Sequence, residues 1–141
     1  MPIIREAIEE DIKALRKLLK ELGYDVDGGT LSQRIESIRD QGGEVIVASI
    51  DGIVVGCVNT LIDIRLAEGI VGEIASLVVS DAHRGMGIGK KLVFHAESWL
   101  KIKGCTTIRV RANMVRKEAH QFYLGMGFKE IKTQKIFTKN V

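Results

Sequence analysis

The sequence predicts an α/β fold: a mixed, mostly antiparallel, twisted sheet with flanking helices, in the order βααβββαβαββ. Two observations predict this class. Apolar residues change along the chain between strand-like and helical spacing, and one helix, over residues 88–103, connects two strands and so gives the sheet a parallel step. With 141 residues, 45% of them apolar and 28% charged, the chain is expected to form one domain over residues 1–141.

The N-terminal half is predicted to contain a strand, two helices and a β-hairpin. Thr30 and Gln33 form a capping-box pattern at the start of the second helix. Asp51 and Gly52 lie between two apolar runs and are a strong hairpin signal. The predicted elements are a strand at 3–7, helices at 9–22 and 31–41, and strands at 44–50 and 53–64.

The C-terminal half is predicted to alternate strands and helices. Ile88, Leu92, Ala96 and Trp99 lie on one helical stripe, and the helix should end near Gly104. The predicted elements are a strand at 74–79, this helix, a strand at 105–112, a helix over residues 116–125 and two short antiparallel strands within 127–141.

Charge and composition exclude several classes of protein. The net charge is +3, with basic residues spread along the chain, so a nucleic-acid binder is not expected. No apolar run is long enough to span a bilayer, and the charged N-terminus lacks the apolar segment of a signal peptide, which predicts a cytoplasmic protein. Cys57 and Cys105 are expected to be reduced core thiols. His83, His95 and His120 have no ligand spacing, so no metal site is expected.

A glycine-dense loop follows the strand at 74–79 and opens directly into the next helix. Glycines at 85, 87 and 89 allow a ligand to approach the backbone, and the N–H groups of a helix's first turn have no partner inside the helix. The spacing does not fit G-x-G-x-x-G, because position 90 is Lys90, or the P-loop, because Lys91 follows it. The loop therefore predicts a different diphosphate cradle; the alternative is a glycine-rich surface turn.

Arg84-x-x-Gly87-x-Gly89 resembles the pyrophosphate-binding motif of the GNAT acetyltransferase superfamily, Gln/Arg-x-x-Gly-x-Gly/Ala. A second stretch, AHQFY at 119–123 followed by Gly-Phe at 127–128, resembles the C-terminal motif of the same family, A-x-x-F/L-Y-x-x-x-G-F. The predicted order of elements is also that of the GNAT fold, so the resemblance covers nearly the whole chain. The stretches GEIxxLVV and AHxFYLxxG are further similar to bacterial aminoalkylphosphonate N-acetyltransferases.

The resemblance implies an N-acetyltransferase that moves the acetyl group of acetyl-coenzyme A (acetyl-CoA) to a primary amine by direct attack in a ternary complex. A small-molecule acceptor is favoured because the compact chain has no extra domain for docking a peptide, and a protein or peptide amine is the alternative. A non-catalytic module that senses coenzyme A (CoA) is the alternative from another class. The resemblance, with the exposed edge of the C-terminal strands, also implies a homodimer.

Glu73 is the candidate general base. It lies eleven residues before Arg84, the offset at which the histone-acetyltransferase branch of the family has its catalytic glutamate. Strand alternation places it on one face with Ala75, Leu77 and Val79, and such apolar neighbours should raise the pKa of its carboxyl group. The alternative is a salt-bridged or solvated glutamate near a strand end.

Tyr123 is the candidate general acid, because many members of the family have the phenol that faces the thiolate at this position. The alternative is a core tyrosine whose hydroxyl is bound to another partner. Many members also have an asparagine seven residues before this tyrosine, where this chain has Arg116, and Asn113 lies three residues earlier. Asn113 and Arg116 are both candidates for contact with the cofactor.

The resemblance assigns the other cofactor contacts to one strand and the loop after it. The backbone of residues 77–79 matches the family strand that pairs with the pantetheine arm and polarises the thioester carbonyl. The candidate cofactor-binding residues of this strand and loop are Leu77, Val78, Val79, Arg84, Gly85, Met86, Gly87, Ile88, Gly89 and Lys90.

The sequence leaves the acceptor open. Acidic loop residues would attract a cationic acceptor, although solvated loop charges are the simpler interpretation; these residues are Asp25, Asp27, Asp63 and Glu68. A phosphonate acceptor would instead need a cation such as Arg109 or Arg111. His120 either lines the acceptor cleft or lies on a helix surface.

Overall fold

The computed structural model of the protein describes residues 1–112, 114–115 and 117–141. The chain divides into two compact units, Met1–Arg111 and Ala112–Val141. The first unit contains a five-stranded sheet with three α-helices, and the described part of the second contains one α-helix. In the described ranges, no helix is long and apolar enough to cross a membrane.

The first unit has the predicted fold class. Its strands lie in the order of the chain, and all neighbours are antiparallel except the fourth and fifth, which are parallel because a helix returns the chain between them. The elements are β1 (Ile3–Glu6), α1 (Ile12–Glu21), α2 (Gly28–Asp40), β2 (Glu44–Ile50), β3 (Ile53–Arg65), β4 (Gly69–Val79), α3 (Ile88–Ile102) and β5 (Ile108–Val110). The second unit contains α4 (Lys117–Gly125).

The hairpin turn is confirmed, whereas the start of α2 is not. Asp51 and Gly52 have φ values of 50° and 79°, as a two-residue turn with left-handed residues requires. α2 begins at residue 28, three residues earlier than predicted. Its cap is Asp27, whose Oδ1 accepts from the Thr30 N–H at 2.8 Å, so the predicted capping box of Thr30 and Gln33 is wrong.

α1 and β5 are shorter than predicted. Residues 9–11 form a 3₁₀ turn, so α1 begins at Ile12. β5 begins at Ile108 rather than at Cys105. The reason is that the Cys105 N–H donates to the Leu100 carbonyl at 3.0 Å and closes the turn that ends α3.

The core of the first unit occupies both faces of the sheet. Gly56 and Cys57 are adjacent in β3 and therefore face opposite sides. A Cβ at position 56 would lie 3.0 Å from Leu92 and 3.4 Å from Ile88 of α3. Cys57 belongs to the cluster beneath α1 and α2, whose buried members are Ala7, Leu15, Leu18, Leu31, Ile35, Val45, Val47, Cys57 and Val78.

β4 contains a β-bulge at residues 76–77. Asn59 of β3 pairs with Ala75, whereas Cys57 pairs with Val78, so the register shifts by one residue between these pairs. The serine that begins the bulge has a φ of 52°, which is uncommon for a residue other than glycine. The extra residue therefore bends β4 just before it reaches the glycine loop.

The bulge changes which residues share a face with Glu73. Paired residues point to the same face of a sheet, and the face that carries Ala75 continues at Val78 rather than at Val79. The predicted row of Glu73, Ala75, Leu77 and Val79 is therefore wrong, because regular alternation does not continue through the extra residue.

The second unit consists of α4 and a tail. Ala119, Phe122, Tyr123 and Met126 are half-buried, and their spacing of three, one and three residues is that of one side of a helix. Residues 129–141 are exposed and in no strand, so the two C-terminal strands of the prediction are absent from this fully described segment. A strand is stable only when its backbone groups pair with a neighbouring strand.

Candidate active site

The loop before α3 has the geometry of an anion-binding site. Gly85 and Gly87 both have a φ of 78°, a left-handed conformation that glycine adopts readily. Gly87 is the N-cap of α3, so the first N–H groups of this helix have no partner inside it. A Cβ at either glycine would have no heavy atom within 4 Å, which leaves open space beside the loop. These residues fit a diphosphate such as that of CoA.

The side chains predicted around this loop differ in their contacts. Arg84 Nη2 lies 2.9 Å from Asp81 Oδ1, and both side chains are mostly exposed. Met86 and Lys90 are also exposed, whereas Ile88 is 2% exposed and belongs to the core. Ile88 therefore has only its backbone to offer a phosphate, whereas Arg84 uses one guanidinium nitrogen on Asp81 and keeps its other donors.

The strand that leads into the loop has a partly unpaired edge. β5 pairs with β4 only from Gly72 to Ile74, because β5 ends at Val110. Beyond that point, the described strands of the first unit leave this edge of β4 without a partner. Within the first unit, no strand pairs with residues 77–79 on this edge, and their pairing with an extended ligand stays a prediction.

Glu73 lies on β4 beside two arginines. Its Oε1 accepts from Arg109 Nε at 2.7 Å and lies 3.3 Å from Arg111 Nε, and its side chain is 15% exposed. Its Oε2 has no partner among the residues that the structure describes. The salt-bridged alternative is therefore the observed arrangement, and the predicted apolar surroundings of this carboxylate are wrong.

Arg109 connects Glu73 to a second carboxylate. Arg109 Nη2 donates to Asp63 Oδ2 at 2.7 Å, and the same oxygen accepts from Arg65 Nε at 2.8 Å. Glu68 lies at the margin, 3.8 Å from Arg65. The hydrogen bond from Arg109 lowers the pKa of Asp63, and the bonds to Asp63 and then Glu73 raise the pKa of Arg109.

The acidic residues predicted to attract a cationic acceptor are mostly engaged elsewhere. Asp27 caps α2 through Thr30. Asp63 and Glu68 belong to the arginine network. Asp25 is exposed and forms no ion pair within the described part of the chain. The first unit therefore offers little uncompensated negative charge at these positions.

Tyr123 lies on α4 in the second unit, between two other aromatic rings. Its ring meets Phe122 edge to face at a centroid distance of 5.2 Å and Phe128 at 5.7 Å. Burial raises the pKa of Tyr123. Its hydroxyl forms no hydrogen bond with any residue that the structure describes. The ring is thus held by packing against Phe122 and Phe128.

The remaining candidates carry less information. Asn113 and Arg116 lie outside the described residues, so their contacts with the cofactor stay predictions. His120 is half-buried in α4. His83 Nδ1 is buried and has no hydrogen-bond partner among the residues that the structure describes. Over the described ranges, no group of three or more His, Cys, Asp or Glu side chains is placed to hold a metal ion.

Asn59 is a polar residue that the sequence analysis did not single out. It is 8% exposed, and its pairing with Ala75 places it on the face of the sheet that carries Glu73. Its side chain makes no hydrogen bond within the described chain. An amide inside the apolar run IVVGCVNTLIDI was the available signal. No comparable signal marked the bulge, because Ser76 is not a residue that usually adopts a positive φ.

Known proteins give a consistent comparison. The family model described as "Acetyltransferase (GNAT) family" matches residues 8–128. An aminoalkylphosphonate N-acetyltransferase of Salmonella typhimurium is 30% identical over 140 residues, covering 92% of this chain and 88% of that protein. An aminoglycoside N(6')-acetyltransferase type 1 of Acinetobacter haemolyticus is 23% identical, covering 98% of both. The solved structure of an aminoglycoside N-acetyltransferase in complex with CoA has a TM-score of 0.88 at 19% identity, covering 100% of this chain and 96% of that one.

Proposed function

Because the chain belongs to the acetyltransferase (GNAT) family, we propose that it transfers the acetyl group of acetyl-CoA to the primary amine of a small molecule, by direct attack in a ternary complex. Membership of the family makes the protein an acyltransferase with acetyl-CoA as its co-substrate. The observation that carries the proposal is that Glu73 and the glycine loop at 84–90 lie on one continuous strand, loop and helix. The proposed proton acceptor and the proposed diphosphate site thus belong to one continuous segment of the chain.

Acetyl transfer makes three chemical demands, and we assign a group to each. The acceptor ammonium loses a proton to Glu73, whose Oε2 is without a partner in the described chain. The amine nitrogen then bonds to the thioester carbon, and the backbone of residues 77–79 stabilises the oxygen as it becomes negative. As the carbon–sulfur bond breaks, the nitrogen loses its remaining extra proton to solvent, and Tyr123 donates its hydroxyl proton or a hydrogen bond to the departing thiolate.

The proposed acetyl-CoA site extends from the end of β4 through the start of α3. The left-handed glycines at 85 and 87 and the orphan N–H groups of the helix support a diphosphate there. The residues proposed to contact acetyl-CoA are Leu77, Val78, Val79, Arg84, Gly85, Met86, Gly87, Ile88, Gly89 and Lys90, with Asn113 and Arg116 as further candidates.

For the acceptor, we propose a small amine that is not a polycation. The three carboxylates of the described network around Arg109 are matched by three arginines, so this network has no net charge with which to attract several ammonium groups. The relatives are named for aminoalkylphosphonates and aminoglycosides. The charge balance favours an acceptor of the first kind.

Release of CoA on mixing with acetyl-CoA and a panel of amines tests the proposal. The panel contains 2-aminoethylphosphonate, a polycationic aminoglycoside and a peptide with a free amino terminus. We expect thiol release to rise with the small amine. Release with the peptide alone would indicate a peptide acetyltransferase, and CoA binding without release from any amine would indicate a sensor module.

Glu73→Gln tests the proposed base within the same assay. The rate should fall mainly at neutral pH and recover in part at alkaline pH, where the amine loses its proton without help. An unchanged pH–rate profile with full activity would remove Glu73 from the mechanism.

A homodimer and a cytoplasmic location are further proposals. The dimer now rests on the family resemblance, because the tail at 129–141 offers no strand for edge pairing. A monomer mass in light scattering at high concentration would refute it.

A further inference from the structure

We propose that Arg109 is a positioning residue that holds Glu73 with Oε2 as its proton-accepting oxygen, and that Asp63 anchors Arg109 for this purpose. The inference rests on the proposed function, since it concerns the base of that reaction. The geometry that points to it is a guanidinium shared between two carboxylates.

The sheet itself places Arg109 beside Glu73. These two residues are register partners in the parallel pair of β4 and β5, so their side chains lie on the same face of adjacent strands. Arg109 Nε and Nη2 reach Glu73 and Asp63 at 2.7 Å each. Because a guanidinium is planar with donors in a fixed fork, binding Asp63 at one nitrogen orients the nitrogen that binds Glu73.

The contacts on Glu73 are one-sided. Arg109 and Arg111 both approach Oε1, and Oε2 accepts from no residue that the structure describes. Because Oε1 is held by a hydrogen bond, the carboxylate cannot rotate to exchange its two oxygens without breaking the 2.7 Å bond from Arg109. The free oxygen is therefore presented in one orientation to an ammonium group or to a water molecule beside it.

Arg109 is the principal holder of Glu73, and Arg111 is secondary. The Arg109 side chain is 18% exposed, so solvent screens its ion pairs less than those of a surface residue. Arg111 is 48% exposed and its nitrogen is 3.3 Å from Oε1. The cation that fixes the orientation of Glu73 is thus the one that Asp63 also binds.

Arg109→Gln, Arg109→Lys and Arg65→Gln form a matched set for testing this role. Arg65 binds the same Asp63 oxygen at 2.8 Å but does not contact Glu73, so Arg65→Gln removes a network arginine without touching the base. The measurements are kcat, KM for acetyl-CoA and the pH dependence of kcat/KM, together with melting temperature.

Arg109→Gln should lower kcat roughly tenfold or more at pH 7, with little change in KM for acetyl-CoA. The acid limb of kcat/KM should move to higher pH, because a nearby cation no longer favours the ionised carboxylate. In this variant the charged groups that remain around Glu73 are Arg111, Asp63 with its partner Arg65, and Glu68. Arg109→Lys should recover part of the rate, since it keeps the charge without the fork. Arg65→Gln should move the acid limb less than Arg109→Gln does, since Arg65 binds Asp63 and Glu68 but does not contact Glu73.

Equal pH profiles for Arg109→Gln and Arg65→Gln, in an otherwise active protein, would overturn the positioning role and leave the proposed function intact. A wild type that releases no CoA with any amine would overturn both. If Arg109→Gln does not fold, Asp63→Asn decides the matter. Asp63→Asn keeps the ion pair between Arg109 and Glu73 but weakens the hold of residue 63 on Arg109. An acid limb of kcat/KM that is unchanged in this variant would refute the inference.

Discussion

Gly87 and Gly52 have nearly the same left-handed backbone in two separate parts of the first unit, with φ values of 78° and 79°. Gly87 caps α3, and Gly52 lies in the turn between β2 and β3. A Cβ at either position would have no heavy atom within 4 Å. An alanine should therefore cause similar backbone strain at both positions, about 1–2 kcal/mol, while only the first faces the proposed diphosphate site.

Gly87→Ala should abolish the stabilisation of the protein by CoA, whereas Gly52→Ala should preserve it. Ligand at a large excess over its Kd raises the free energy of unfolding of any variant that still binds it. Both variants should melt at similarly reduced temperatures without ligand, and only Gly52→Ala should recover with CoA. If CoA stabilises the two variants equally, the loop is not the diphosphate site.

Asp27→Ala should destabilise the protein without changing the KM of the acceptor. Asp27 accepts two hydrogen bonds from Thr30 at 2.8 Å. It thereby caps α2, because one of the N–H groups that lack a partner inside the helix donates to its side chain. Asp25→Ala is the matched control, because Asp25 lies exposed in the same loop. If the KM of the acceptor rises for Asp27→Ala but not for Asp25→Ala, Asp27 contributes to acceptor binding after all.

The difference between Asp27→Ala and the wild type should depend on pH. The Thr30 backbone N–H, and then its hydroxyl, lower the pKa of Asp27 in the folded protein. A carboxyl group with a lowered folded pKa stabilises the protein above its unfolded pKa, and this contribution is lost as the pH falls through the folded value. In thermal melts at a series of acidic pH values, the melting temperature of the wild type should approach that of Asp27→Ala as the pH falls.

Both cysteines should be unreactive in the folded protein. Cys57 and Cys105 are buried free thiols, as the sequence predicted. Burial raises the pKa of Cys57 to about 12 and also raises the pKa of Cys105, and the thiolate is the reactive form. A thiol reagent at pH 8 should label neither residue until denaturant is added. A rapid phase of labelling in the native protein would contradict the burial of one of the two cysteines.

The raised pKa of Cys57 also makes the stability of the folded protein depend on pH. The folded value lies above the unfolded one, so the contribution of the neutral thiol is complete below pH 9 and is lost as the pH rises toward 12. Cys57→Val should therefore reduce the alkaline loss of stability in that window. If Cys57→Val loses as much stability as the wild type in this pH window, the loss arises from the ionisation of other groups.

Local signals predicted the fold well where they determine the backbone. Asp51 and Gly52 favour left-handed conformations, and they form the predicted turn. The apolar stripe of α3 gave its position, since Ile88, Leu92 and Ala96 are all buried. α2 was predicted to start too late because two glycines in its first turn have the composition of a loop.

The surroundings of Glu73 could not be predicted from local signals. Its neighbours in space, Arg109 and Asp63, come from other strands, and their contacts depend on the register of the sheet. The bulge at Ser76 then shifts the face of every later residue in β4. The loop motif and Glu73 were named from resemblance, whereas the ion pairs around Glu73 required the structure.

Tyr123→Phe separates an enzyme from a binding module most directly. A thiolate like that of cysteine has a solution pKa near ~8.5, against ~10 for a phenol, and burial raises the pKa of Tyr123 further. Full proton transfer is therefore uphill, and a hydrogen bond that strengthens as charge develops on sulfur supplies much of the benefit. Removing such a donor lowers kcat by roughly 10²-fold or more.

The variant should keep its stability and its KM for acetyl-CoA, because phenylalanine preserves the edge-to-face contacts with Phe122 and Phe128. Tyr24→Phe is the matched control, since Tyr24 is 63% exposed and should leave kcat unchanged. Because burial raises the pKa of the Tyr123 phenol, any loss of rate from its ionisation in the wild type should lie at higher pH than for a free phenol. A Tyr123→Phe protein that melts early but turns over normally would make Tyr123 a packing residue and leave the thiolate without its donor.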